Sequence, residues 1–186
     1  MIRSTIIALC LLLSASGATA GELAIRRFQL ADQQSLVLPM PDAWQVDVLA
    51  PEKQQPTVLR IRAKAGSGFE LQLAPSLPMA GKSAKPAPGL RQRVRGMAKA
   101  AHARAIGHAS AIQSLKTAYG KGYYFSASLE PPRSDHYNRL TQGVVPIGDR
   151  SLTFTLRTDD DGQAIVDATL LLIGDSRLEP TPASAH

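Results

Sequence analysis

Four residues of one short stretch have the type and the spacing to do electrostatic work. Arg91, Arg95, Lys99 and His102 recur every three or four positions, and Arg93 and Arg104 stand beside them. No acidic residue occurs from Gly89 to His108, and Lys82 and Lys85 add positive charge just upstream. On a helix this spacing makes one stripe, in which like charges oppose one another by ~0.2–0.5 kcal/mol per pair. Two readings are open: a solvated face, or a face that docks on something anionic, an acidic protein or lipid headgroups.

Aromatic crowding is the second candidate. Tyr119, Tyr123, Tyr124 and Phe125 bring four of the nine aromatic residues into seven positions. On a strand, Tyr123 and Phe125 share one face and Tyr124 takes the other. Aromatic side chains at such positions ordinarily fill a core. Tyr124 or Tyr119 is the one placed to line a cleft with a ring and a hydroxyl.

Other chemistry finds little support. Asp159-Asp160-Asp161-Gly162 invites a calcium reading, but an EF-hand loop needs acids at alternating positions and a glutamate at the twelfth, where Leu170 stands. A turn and a helix cap explain the aspartates without metal. No Gly-x-Ser-x-Gly elbow, His-Glu-x-x-His pair or phosphate-cradling glycine loop is present. His102, His108 and His136 are scattered, with no metal-ligand spacing between them. His136, in the loop Pro131-Pro132-Arg133-Ser134-Asp135-His136-Tyr137, is the best isolated catalytic group but has no readable partner. No motif implies a cofactor.

The elements that must carry these residues follow from periodicity. Alternating or short apolar runs predict strands over 23–30, 35–38, 44–49, 57–63 and 69–73, with Pro39 and Pro41 stopping the second. Gly66-Ser67-Gly68 supplies the turn of a hairpin. Residues 75–89 hold four prolines and read as a loop. Leu90, Val94, Met97, Ala98, Ala101 and Ala105 then share one face of a helix over 90–105. Strands return over 112–119 and 122–129, turning at Gly120-Lys121, and over 140–147 and 151–158, turning at Gly148-Asp149-Arg150. The three aspartates are expected to cap a last helix over 162–173. Trp44, Phe154 and Leu156 are expected in the core. No internal repeat is visible.

The first twenty residues give an address. Arg3 lies in a short polar head, residues 6–13 are apolar without a break, and Ala18-Thr19-Ala20 presents small side chains to a signal peptidase. A run of about eight residues falls far short of the ~20 that span a bilayer, so a leader cleaved after Ala20 is expected. Cys10 is the one cysteine and would leave with it; Leu9 before it argues against a lipoprotein signal. The mature chain would then carry no disulfide, thiolate nucleophile or cysteine metal site. It would hold roughly 166 residues with a net charge of +6 less the one charge of Arg3, that is +5. That size favours one domain over 21–178, followed by a small-residue tail over 179–186 expected to be disordered. Excess positive charge favours anionic partners, and export argues against nucleic acid among them. No later stretch is apolar enough for a transmembrane span.

Leu36-Val37-Leu38-Pro39-Met40-Pro41-Asp42-Ala43-Trp44 resembles the early segment of Mog1/PsbP-like proteins, an apolar strand followed by proline and tryptophan. The strands over 122–129 and 140–158 and the closing helix keep the same order. The resemblance implies an α+β fold, an antiparallel β-sheet with flanking helices in an α/β/α-type sandwich. It also implies roles mostly in binding and adaptor work, and it assigns no specific activity. The expectation is therefore an exported, periplasmic, non-catalytic binding or adaptor module of the bacterial cell envelope. Its candidate contacts are Arg91, Arg95, Lys99, His102, Tyr119 and Tyr124, facing an acidic protein or an anionic envelope surface. The alternative is a periplasmic hydrolase assembled around the His136 loop.

Overall fold

Alternation of apolar and polar side chains builds most of the architecture. A computed structural model of the chain describes residues 23–30, 33–49, 56–66, 68–76, 89–102, 109–129, 137–159 and 162–181. Along them run β1 (Leu23–Gln29), β2 (Gln34–Pro41), β3 (Trp44–Leu49), β4 (Val58–Ala63), β5 (Phe69–Pro75), α1 (Leu90–His102), β6 (Gln113–Thr117), β7 (Gly120–Ser128), β8 (Arg139–Ile147), β9 (Arg150–Thr158), α2 (Gln163–Gly174) and β10 (Arg177–Pro180). The leader at 1–20, the proline-rich stretch at 77–88, residues 103–108, the loop at 130–136 and the end at 182–186 lie outside the described residues.

Seven strands form one antiparallel sheet in the order β3-β4-β5-β9-β8-β7-β6, and β1-β2-β10 form a second. This is the α+β, antiparallel architecture that the strand and helix patterns imply. Burial alternates along β5 and, from Leu152 onward, along β9: Phe69, Leu71 and Leu73 face one side with Leu152, Phe154 and Leu156. A period of two puts every second side chain on the same face, so one sheet separates two apolar clusters.

The larger cluster joins those residues to Leu36, Leu38 and Met40 of β2, Leu59 and Ile61 of β4, and Val166, Leu172 and Ile173 of α2. Trp44 lies in it, its ring centroid 4.7 Å from that of Phe69. The smaller cluster lies on the other face: Val94 and Ala101 of α1 pack with Phe125, Ala127, Leu140 and Val144. The layers make the expected α/β/α-type sandwich, with the small sheet sharing the side of α2 and α1 packed mainly on β7 and β8.

Several local expectations need correction. Strand β2 runs through Pro39 to Pro41, paired to β1 throughout, and does not stop at Pro39. Its pairing with β10 ends at Val37, so Pro39 stands where β2 has one neighbour, and a residue lacking N–H is tolerated there. The β6–β7 turn falls at Ala118–Tyr119, because Thr117 already pairs with Gly120, whose φ of 122° favours glycine. Gly162 is the N-cap of α2, without a side-chain hydrogen bond, and Asp160 and Asp161 of the expected cap lie outside the described residues. An added Cβ at Gly162 would come within 2.4 Å of Thr158, so close approach of the backbone selects a glycine there. Glu179 and Pro180, assigned by their composition to a disordered tail, belong to β10 and pair with Ser35 and Gln34.

Candidate functional site

α1 forms because its apolar positions repeat at helical spacing, and the sheet decides which face points outward. Val94 and Ala101 are buried against β7 and β8, with Leu90, Met97 and Ala98 packed beside them. Arg91, Arg95, Lys99 and His102 are therefore left on the exposed side. The structure brings these four sequence-predicted residues onto one solvent face.

The setting of Arg91 and Arg95 differs from that of the other described arginines. Arg26, Arg27, Arg60, Arg62, Arg150, Arg157 and Arg177 all sit in ion pairs. Arg139 donates to Gln163 at 2.8 Å. Arg93 turns back to the sheet, donating to Ser151 Oγ at 2.8 Å, and so leaves the stripe that its position suggests. Among the described residues, Arg91 and Arg95 are the arginines with neither an ion pair nor a hydrogen-bonded partner. Lys99 also lacks an ion pair there. No acidic residue occupies the first turn of α1.

Tyr119 and Tyr124 do not join this face. Tyr124 lies on the opposite side of the sheet, against the larger cluster, and its hydroxyl donates to Gln113 Oε1 at 2.7 Å. Burial, and secondarily the charge of Asp167, raises its pKa above the ordinary phenol value, so the ring is neutral and serves as a donor. Tyr119 sits in the β6–β7 turn, and its hydroxyl accepts from the Leu178 N–H at 3.3 Å, tying the turn to β10. Both tyrosines thus have structural partners. His136 lies outside the described residues, and among those described no cluster of three histidine, cysteine or acidic residues has metal-binding geometry.

Two concavities adjoin these elements. A cleft of about 630 Å³ at the end of α2 is lined by Lys116, Asp175 and Arg177 among others, cations and a carboxylate together. A groove of about 350 Å³ lies between the last turns of α1 and strands β8 and β9. It includes Arg157, Thr155 and Gln142, which periodicity could not single out because they fit an ordinary polar sheet face.

The arrangement is a PsbP-like fold. No family model and no curated protein sequence matches the chain. Among solved structures it is similar to cyanobacterial PsbP (CyanoP) from Synechocystis sp. PCC 6803, with a TM-score of 0.51. That likeness covers 90% of this chain and 99% of the other at 12% sequence identity. Identity so low speaks for the fold alone, in agreement with the proline–tryptophan segment and strand order seen in the sequence.

Proposed function

We propose that this protein is an exported, non-catalytic accessory module of the cell envelope that docks through the basic face of α1. The observation that carries this reading is the exposed Arg91–Arg95–Lys99 stripe, left without ion pairs in a molecule whose other described arginines are partnered. Three cations on one rigid helix face can be met together by an acidic protein or an anionic lipid surface. Each basic residue near such a membrane surface contributes ~1 kcal/mol, so three together change affinity by about a hundredfold. The leader-like first twenty residues support export, and the net charge of +6 suits an anionic partner.

Sedimentation with vesicles of phosphatidylglycerol and phosphatidylethanolamine tests the lipid arm, and retention on immobilised polyglutamate tests the acidic-protein arm. Binding to either probe that weakens as salt is raised is expected, because the Debye length shrinks to ~8 Å at physiological ionic strength. Absence of binding to both at low salt would overturn the reading.

A further inference from the structure

The face of the large sheet that carries α1 is seven strands wide, but the helix packs mainly on β7 and β8, with Arg93 reaching β9. Two cross-strand rows run over this face from its open edge to the helix. One passes Asp47, Arg60, Gln72, Thr155, Gln142 and Phe125. The other passes Gln45, Arg62, Glu70, Arg157, Leu140 and Ala127. The first changes from polar to apolar between Gln142 of β8 and Phe125 of β7, the second one strand earlier, between Arg157 of β9 and Leu140 of β8, so the step is staggered by one strand beside the last turns of α1. The 350 Å³ groove lies at that step.

Its two sides have opposite chemistry. Met97, Ala100 and Ala101 of α1 make an apolar wall together with Leu140. Across from them are Arg157 and Thr155 of β9 and Gln142 of β8. Arg157 is held loosely: NH1 is 3.9 Å from Glu70 Oε1, and its side chain is 43% exposed. Glu70 is already shared, taking a hydrogen bond from Gln72 at 2.8 Å and pairing with Arg60 at 3.7 Å. The two rows hold Arg60, Arg62 and Arg157 against Asp47 and Glu70, three cations to two carboxylates. One guanidinium is in excess, and it is Arg157 that faces the groove. Thr155 Oγ1 accepts from Gln142 Nε2 at 3.1 Å, which leaves its hydroxyl proton to donate elsewhere.

We infer that this groove binds a small amphipathic anion, a single carboxylate or phosphate head on an aliphatic chain. Arg157 and Thr155 take the head, and the chain lies along Met97, Ala100 and Leu140. Concave sites of this size are mostly apolar with a few convergent polar groups that fix orientation. A cation at one end and hydrocarbon along the wall select an amphiphile over a sugar or a simple anion. The groove lies at the flank of α1, apart from its outward basic stripe, so this site stands or falls independently of docking through that stripe.

Isothermal titration calorimetry of the full chain with decanoate, monodecyl phosphate and decyltrimethylammonium, each kept below micelle formation, tests the inference. Saturable one-to-one binding of one or both anions is expected, with the cation binding at least tenfold more weakly; which anion is preferred tells a carboxylate from a phosphate ligand. Hydrogen bonds to charged groups contribute ~1.5–3 kcal/mol, so Arg157→Gln should weaken binding roughly tenfold to hundredfold. Ala100→Phe, on the exposed side of the groove, should block it while leaving the thermal midpoint in place. It keeps the test valid if Arg157→Gln fails to fold. The Arg91→Gln/Arg95→Gln/Lys99→Gln variant should bind the amphiphile as the parent does. No saturable binding of either anion, equal binding of the cation, or full binding by Ala100→Phe would overturn the assignment.

Discussion

Arg91 stands in the first turn of α1, where the unpaired backbone N–H groups already present positive charge and an acidic residue would be favoured. Lys99 and His102 lie in the last turn, where the dipole welcomes a cation. Half of the stripe therefore has a local structural reason, and Arg91 has none. Arg91→Glu should stabilise the protein by about 0.3–1 kcal/mol in chemical denaturation while weakening association with anionic vesicles. A loss of stability would show that Arg91 holds the fold in some other way. Trp44 makes the opposite case. Its ring is buried and tilted at 53° to that of Phe69, so Trp44→Ala should cost about 3–5 kcal/mol. A cost below ~1 kcal/mol would place the ring outside the core and reopen it as a ligand contact.

At the scale of elements, periodicity located strands and helices where one face is buried, and it failed where an element depends on a distant partner. The positions of β4, β5 and β9 follow from apolar residues alternating over one core, whereas β8 lends Leu140 and Val144 to one cluster and Val145 and Ile147 to the other. α1 follows from Leu90, Val94, Met97 and Ala101. β10 has only four residues and takes its order from β2, 140 residues earlier in the chain, so no local signal marks it. Pro39 reads as a stop because the sequence does not reveal that β2 has lost its second neighbour at that point.

Glu179 fastens β10 to β1, accepting from Arg177 Nε at 2.8 Å and from Arg27 Nε at 3.2 Å. The hydrogen bond from Arg177, then that from Arg27, holds its carboxyl below the ordinary value of 4.5. A lowered folded-state pKa means that the clasp stabilises fully above that ordinary value and is lost as pH falls through the depressed one. Glu179→Gln should thus lower the thermal midpoint at pH 7, and the gap to the parent should close as the pH is taken below 4. A gap that stays constant with pH would show that the charge of Glu179 does not hold β10.

At the scale of the molecule, one sheet divides two cores, and this division sorts the candidate residues. The spacing of Arg91, Arg95, Lys99 and His102 was enough to place them together, since helical geometry and one buried face fix the rest. The aromatic cluster was not so legible: alternation separates Tyr124 from Tyr123, but which face meets α1 depends on strand order across the whole sheet. The groove at Arg157 was invisible for the same reason, because its walls come from α1, β8 and β9, brought together only by the register of long-range pairs.

Docking through α1 rests on where charge lies and not on its total, and one comparison separates the two. Arg91→Gln/Arg95→Gln/Lys99→Gln and a control, Lys64→Gln/Lys116→Gln/Lys121→Gln, each lower the net charge from +6 to +3. The control residues are exposed positions outside α1. Affinity for phosphatidylglycerol vesicles and for polyglutamate would be measured for the parent and both variants at low and moderate salt. The α1 variant should lose about a hundredfold in affinity for the probe that the parent prefers, with a flattened salt dependence, while the control keeps most of its binding. Equal losses in the two variants would mean that net charge alone draws the protein to anions, and would contradict docking through α1.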